Sequence, residues 1–268
     1  YDRMGMSESK VFYCFDGQTP LSAALLNVRY LFSRSDAEDS SLYTLIDEQD
    51  GVYLYKNNKT LPAGFILQDG QNLSSAEFSE ETSDPFEVQN QMATSDALFV
   101  SIESEESGNQ VFFDVYTEGH YYAYCKSSKI DTVSISSASV NKTYKKVKYD
   151  YILDLGRHET GDHVTLTNDE DSVLNAVVVR LDEAVLSRTL QTLSEQPFTV
   201  DSYDSSHVTG HVDVTKAGRL ILSIADEPGW TMKVDGEAAD YDVYDGVFLS
   251  VPLTEGSHTI ELSYRPAG

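Results

Sequence analysis

Positive charge is scarce in this chain of 268 residues: 19 Lys and Arg stand against 44 Asp and Glu, a formal net charge of −25. Phosphate backbones are held by clustered cations, so this balance excludes nucleic acid as a partner. Cysteine is nearly absent. Cys14 and Cys125 are the two present, far enough apart for two free thiols or one long-range disulfide, and neither has the closely spaced Cys or His neighbours of a zinc site. Long apolar runs are lacking as well; the most apolar, residues 176–179, falls far short of the roughly 20 residues of a membrane-spanning helix. GxSxG, P-loop and GxGxxG patterns do not occur, which removes the hydrolase elbow and the nucleotide cradle. The chain opens at Tyr1 without Met or a signal-peptide pattern, as expected of a piece of a longer protein.

What is present folds. Hydrophobic residues make up 40% and aromatics 11%, too much apolar and aromatic surface for wholesale disorder. Short runs over 97–103, 109–118, 121–126, 132–136, 145–155, 163–167 and 175–180 are rich in Val, Ile, Tyr, Phe and Thr. Gly, Asn, Asp and Ser punctuate them about every ten residues, the signature of an antiparallel sandwich or barrel. A second set covers 198–203, 207–214, 218–224, 231–234, 241–244, 247–252 and 257–264, with Asp235-Gly236 marking a tight hairpin. Between the sets, Leu181, Val185, Leu186, Leu190 and Leu193 share one face of an amphipathic helix that ends before Pro197.

The first third is mixed. Its pattern predicts a helix over 20–26 with Pro20 in the first turn, strands over 27–33, 52–55 and 63–67, and a polar loop over 34–41. The last two strands read as hairpin partners around Asn57-Asn58. A polar connecting segment over 68–84 carries a short helix near 74–80. The expected fold is mainly β: a small mixed α/β segment with linker (1–95), a first antiparallel, jelly-roll-like β-sandwich with its trailing helix (96–197), and a second sandwich (198–268).

The segments Asp226-Glu227-Pro228-Gly229-Trp230, Gly246-Val247-Phe248-Leu249 and Gly256-Ser257-His258-Thr259-Ile260 resemble the C-terminal extracytoplasmic part of the YfhO family of bacterial polytopic membrane proteins. Ordered matches run through the chain. They include Leu26-Asn27-Val28-Arg29-Tyr30-Leu31, Tyr53-Leu54-Tyr55-Lys56-Asn57, Leu61-Pro62-Ala63-Gly64-Phe65, Asp84-Pro85-Phe86-Glu87 and Leu153-Asp154-Leu155-Gly156. The resemblance implies many membrane helices, then a large external region like this one, then a last helix beginning near the end of the present chain. The family is similar to glycosyltransferases that use a lipid-phosphate sugar donor and decorate Gram-positive envelope polymers such as lipoteichoic acid. Their catalytic carboxylate lies on a loop near the first membrane helices, outside this sequence. No catalytic residue, metal ligand or cofactor is therefore assigned.

Sugar rings pack on flat aromatic faces, which singles out Tyr122, Trp230, Tyr241 and Tyr244 as candidate glycan contacts. Strand alternation makes core packing their default role, and Trp230 fits a plug at the end of the second sandwich equally well. Lys142, Lys145, Lys146 and Lys148 form the dense basic cluster that a polyanionic polymer would need. His158-Glu159 with His163 departs from HExxH spacing, and Gly161-Asp162 reads as a turn. His207 and His211 share a strand face about 13 Å apart, too far for one metal. Asp169-Glu170-Asp171 and Asp201 with Asp204 lack EF-hand spacing and read as solvated loops. The expected role is a non-catalytic region that orients an envelope-glycan acceptor beside its own membrane-embedded domain; the alternative is a module that braces that domain or docks a partner protein.

Overall fold

The computed structural model describes residues 4–9, 12–13, 16–34, 38–68, 84–93, 96–125, 129–170, 172–244 and 246–266. Cys14 and the helix expected near 74–80 lie outside them. The fold is mainly β, in several antiparallel sheets, with three α-helices among the described residues: α1 (Pro20–Leu25), α2 (Pro85–Met92) and α3 (Glu183–Leu193). Contacts divide the chain into two units, each drawn from separate stretches: Tyr1–Ser22, Ala37–Ser40 and Ala76–Leu186 in one, Ala23–Asp36, Ser41–Ser75 and Ser187–Gly268 in the other.

The first unit is a sandwich of two antiparallel sheets. One sheet orders its strands Ile152–His158, Gly119–Tyr124, Val177–Leu181, Phe99–Ser101; the other orders them Asn141–Lys145, Thr132–Ser136, His163–Asn168, Gln110–Asp114, Glu105–Ser107. Val111, Phe113, Tyr121, Ala123, Val133, Ile135, Leu153, Leu155, Val164, Leu166 and Val178 alternate inward from both sheets and fill the space between them. The outer face of the Gly119–Tyr124 strand is covered too. Helix α2 packs on the Phe99–Ser101 strand of the same sheet, started by Asp84, whose carboxylate accepts from Phe86 N at 2.9 Å, and by Pro85 where a missing N–H does no harm. Phe86, Phe99 and Tyr122 then form an aromatic row with ring separations of 5.0 and 5.7 Å.

The strand expected over 145–155 is two strands. Lys146 and Asp150, both left-handed at φ 61° and 53°, bracket a 3₁₀ turn at Val147–Tyr149 and break the extended run.

The second unit holds the other sandwich. Thr199–Tyr203, His207–Val214, Gly256–Tyr264, Trp230–Val234 and Glu237–Ala239 face Asp242–Tyr244, Phe248–Leu253, Gly218–Ala225 and Gly64–Gln68 across a core of Ile66, Phe198, Val212, Leu220, Leu222, Met232, Leu249, Val251, Ile260 and Leu262. The Asp235-Gly236 hairpin forms as its sequence predicts, with φ of 55° and 84°.

The hairpin expected around Asn57-Asn58 is a different one. Gly64–Gln68 pairs with Gly218–Ala225, and Val52–Asn57 lies between Tyr30–Ser33 and Tyr43–Gln49 in a three-stranded sheet. The turn is made by Asp50 and Gly51 at φ 52° and 72°, the left-handed pair that a two-residue hairpin favours. Asn57 is engaged elsewhere: its Nδ2 donates to Val28 O at 2.9 Å and its Oδ1 accepts from Lys59 N at 2.8 Å.

Candidate functional site

A single extra residue builds the most distinctive polar site. Between the Gly119–Tyr124 and Ile152–His158 strands the register shifts, so that Tyr121 faces Gly156 while Tyr122 faces Asp154. Leu155 is the unpaired residue, and Gly156 takes the left-handed φ of 83°. A bulge reverses the alternation beyond it. Arg157 therefore pairs with His120 on the outer face, and His158 turns toward the core, its ring edge-on to Tyr121 at 5.9 Å.

His120 sits between two carboxylates. Its Nδ1 is 2.8 Å from Asp39 Oδ2 and its Nε2 is 2.5 Å from Asp154 Oδ1, with the imidazole side chain 4% exposed. Burial pulls the histidine pKa down, but the Asp154 charge and the hydrogen bonds with Asp154 and Asp39 outweigh it and hold it up at about 9. Burial works in the opposite direction on Asp154, where the His120 charge and hydrogen bond prevail and bring the pKa to about 2. At neutral pH an imidazolium thus donates to a carboxylate on each side. Arg157 continues the array, with guanidinium nitrogens 2.6 Å from Glu183, 3.7 Å from Glu118 and 4.0 Å from Asp39.

Beside this array a cleft of about 390 Å³ is lined by Glu118, Ala138, Ser139, Arg157, His158, Glu159 and Asp162. His158 Nε2 donates to Leu155 O at 3.0 Å, which leaves Nδ1 facing Ser139 Oγ at 3.3 Å and Asp162 Oδ2 at 3.4 Å. Ser139 and Asp162 therefore approach the same ring nitrogen, unlike the opposed partners of a hydrolase triad. A turn at 160–161 joins Glu159 to Asp162. Its wall offers guanidinium and hydroxyl donors next to carboxylate acceptors, an arrangement that matches a polyhydroxylated surface.

The residues singled out by sequence do not gather in one place. Tyr122 is a correction: it is 2% exposed, its ring lies 4.8 Å from His120 and edge-on to Phe99, and no sugar reaches it. Alternation predicts that half of that strand faces solvent, whereas both of its faces are buried, the second one with Phe99 and Asp39 against it. Trp230 packs against the second core and tilts over Tyr264 at 4.9 Å; Tyr241 packs on the same core, and Tyr244 is half-buried at the edge of the opposite sheet. Lys142, Lys145, Lys146 and Lys148 are all exposed around the outermost strand of the five-stranded sheet in the first unit. Lys142 lies over the Tyr144 ring at 4.8 Å and Lys148 is 2.7 Å from Asp131. His207 and His211 each pair with their own aspartate, Asp204 at 3.2 Å and Asp201 at 2.9 Å, and His163 pairs with Asp114 at 2.8 Å.

A sequence-family model described as bacterial membrane protein YfhO matches residues 72–268. The chain belongs to the YfhO family. No curated protein matches it. Among solved structures, this YfhO-family chain is similar to a cupin 2 conserved barrel domain protein from Leptotrichia buccalis, at 14% identity and TM-score 0.16 over 66% of this chain and 94% of that one. A protein of unknown function from Pseudomonas syringae pv. tomato matches at 12% identity and TM-score 0.21, over 76% and 100% of the two chains. Vicilin from Solanum lycopersicum matches at 8% identity and TM-score 0.16, over 59% and 72%. Among the described residues of the YfhO-family chain no helix is long and apolar enough to cross a membrane.

Sequence motifs point to His158, Glu159 and Asp162 of the cleft of this YfhO-family chain, but not to the charged array beside it or to Ser139. Asp39, His120 and Asp154 are far apart in sequence, and Ser139 lies in an undistinguished Ser-rich turn. One signal was there: a glycine inside a strand pattern, Gly156, marks a bulge.

Proposed function

We propose that this chain is an extracytoplasmic accessory region of a glycosyltransferase-like membrane protein that decorates an envelope polymer of the lipoteichoic acid type. It works beside its own membrane-embedded domain and orients the glycan acceptor. The observation that carries the reading is the 390 Å³ cleft in which Arg157, Ser139, Glu159 and Asp162 present donors and acceptors side by side. Such alternation suits vicinal hydroxyls, and the volume falls within the usual range for a small-ligand pocket. Family membership supports a site near a membrane. The exposed Lys142, Lys145 and Lys146 supply local positive charge for a polyanionic chain, because at physiological salt the remaining acidic surface is screened beyond about 8 Å.

Titration of the chain with purified polymer or its oligosaccharides, followed by calorimetry, tests this. Saturable binding, weakened about tenfold or more by Arg157→Ala or by Asp162→Asn, is the expected result. Binding that both variants leave intact, or no binding at all, removes the acceptor role. The chain would then be a module that braces the membrane domain or docks a partner protein.

A further inference from the structure

The five-stranded sheet of the first unit ends in two edges of opposite charge. One outermost strand is Glu105–Ser107, exposed along its length; the other is Asn141–Lys145, exposed except at half-buried Tyr144. Glu103, Glu105 and Glu106 mark the first edge, and residues 99–125 contain no Lys or Arg. Lys142, Lys145 and Lys146 mark the second, and residues 132–149 contain no Asp or Glu. Of the acids that approach this second edge, Asp131 is held by Lys148 at 2.7 Å and Asp154 by His120. Among the described residues, the side chains of Glu103, Glu105, Glu106, Lys145 and Lys146 have no hydrogen-bond or ion-pair partner.

An edge strand presents a row of unpaired N–H and C=O groups that another strand can meet. Like charge bars each of these edges from its own kind, which leaves the opposite edge of a second copy as the match. The geometry permits it. Four antiparallel steps separate the two edges, so both strands run in the same direction. A second copy displaced along the sheet therefore sets them side by side as a parallel pair. The faces agree as well. Glu106 is opposite core residue Val111 and Lys142 is opposite core residue Ile135, so both lie on the sandwich side, whereas Glu105 and Lys145 alternate to the outer side.

We propose that these edges join copies of the chain, with Glu105–Ser107 of one copy alongside Asn141–Lys145 of the next, Glu106 against Lys142 and Glu105 against Lys145. The contact uses two different surfaces, so it propagates into short open chains instead of closing on a symmetric pair. The shorter strand has three residues, too few to approach the roughly 1,200 Å² of a stable interface, so the association is weak and depends on charge. The inference is independent of the glycan reading of the cleft. It gives Lys142 and Lys145 a second copy as occupant, and the experiment separates that occupant from a polyanionic polymer.

Sedimentation velocity of the chain at rising concentration tests it. In dilute buffer the mean mass is expected to rise with concentration; at about 1 M salt, where charges are screened beyond about 3 Å, it is expected to stay at that of one chain. Lys142→Glu with Lys145→Glu, or Glu105→Lys with Glu106→Lys, is expected to abolish the rise. Mixing those two variants one to one restores it, because each supplies the edge that the other has lost, and so does placing all four substitutions in one chain. Equal melting temperatures show that the variants fold. A zero-length carbodiimide gives a second reading, joining Lys142 or Lys145 of an isotope-labelled chain to Glu105 or Glu106 of an unlabelled one. Within one chain the edges stand four strand spacings apart, about 19 Å, beyond its reach. A mass that stays at one chain, a rise that survives high salt or either pair of substitutions, or a mixture that fails to associate overturns the proposal. So does a lysine edge that takes up purified polymer while the chains neither associate nor cross-link.

Discussion

Each of the six histidines lies beside an aspartate: His120 with Asp39 and Asp154, His158 with Asp162, His163 with Asp114, His207 with Asp204, His211 with Asp201 and His258 with Asp235. In a chain of net charge −25 these pairings set each imidazole against one of the many acids. His120 has the largest consequence because it is buried. Its pKa rises from an ordinary 6.5 to about 9, so its stabilising contribution is complete below pH 6.5 and is lost as pH climbs through 9. Urea unfolding is expected to show up to about 3 kcal/mol less stability at pH 9.5 than at pH 6.5 from this group, and His120→Gln should flatten that limb. Asp154 behaves in the opposite sense, contributing above its ordinary 3.8 and losing that contribution as pH falls toward about 2. Cys125 is a free, fully buried thiol that burial pushes up to about 12. In a Cys14→Ser background it should stay silent to a thiol reagent in native buffer and react stoichiometrically in denaturant.

Among the elements, the bulge at Leu155–Gly156 decides the candidate site. Gly156→Ala forces a side chain into a left-handed position and brings its Cβ to 3.0 Å from Val140. We expect a loss of about 1–2 kcal/mol in chemical denaturation, with the NMR titration of His120 moving back toward 6.5 as the Asp154 contact loosens. The cap of α2 is a separable test, since Asp84→Ala should cost about 1 kcal/mol without moving that titration. Much of this was legible beforehand. Leu181, Val185, Leu186, Leu190 and Leu193 announced α3, whose N-terminus Asp182 caps by accepting from Ala184 N and Val185 N. Asp235-Gly236 announced its hairpin, because both depend on spacing within a dozen residues. Asp50-Gly51 carries the same kind of local signal, and it pairs Val52–Asn57 with Tyr43–Gln49, whereas Asn57-Asn58 makes no hairpin to Gly64–Gln68.

For the whole molecule, the second sandwich completes a sheet with Gly64–Gln68, a strand from more than a hundred residues earlier in the chain, paired in register with Gly218–Ala225. A fragment of residues 187–268 alone would leave the edge of Gly218–Ala225 unpaired and part of Ile66's core position empty. We expect it to aggregate on size-exclusion chromatography, and to run as a monomer when residues 60–68 are restored through a flexible linker. The β class, both sets of strands, the excess of acid and the family can be read without coordinates, because alternation, turn residues, composition and ordered motifs are all written along the chain. Tertiary structure alone decided that Tyr122 is covered on both sides, that Gly64–Gln68 joins a distant sheet, and that Asp39, His120, Asp154 and Arg157 meet. Those outcomes depend on which strand finds which and on one residue of register, and a local pattern carries neither.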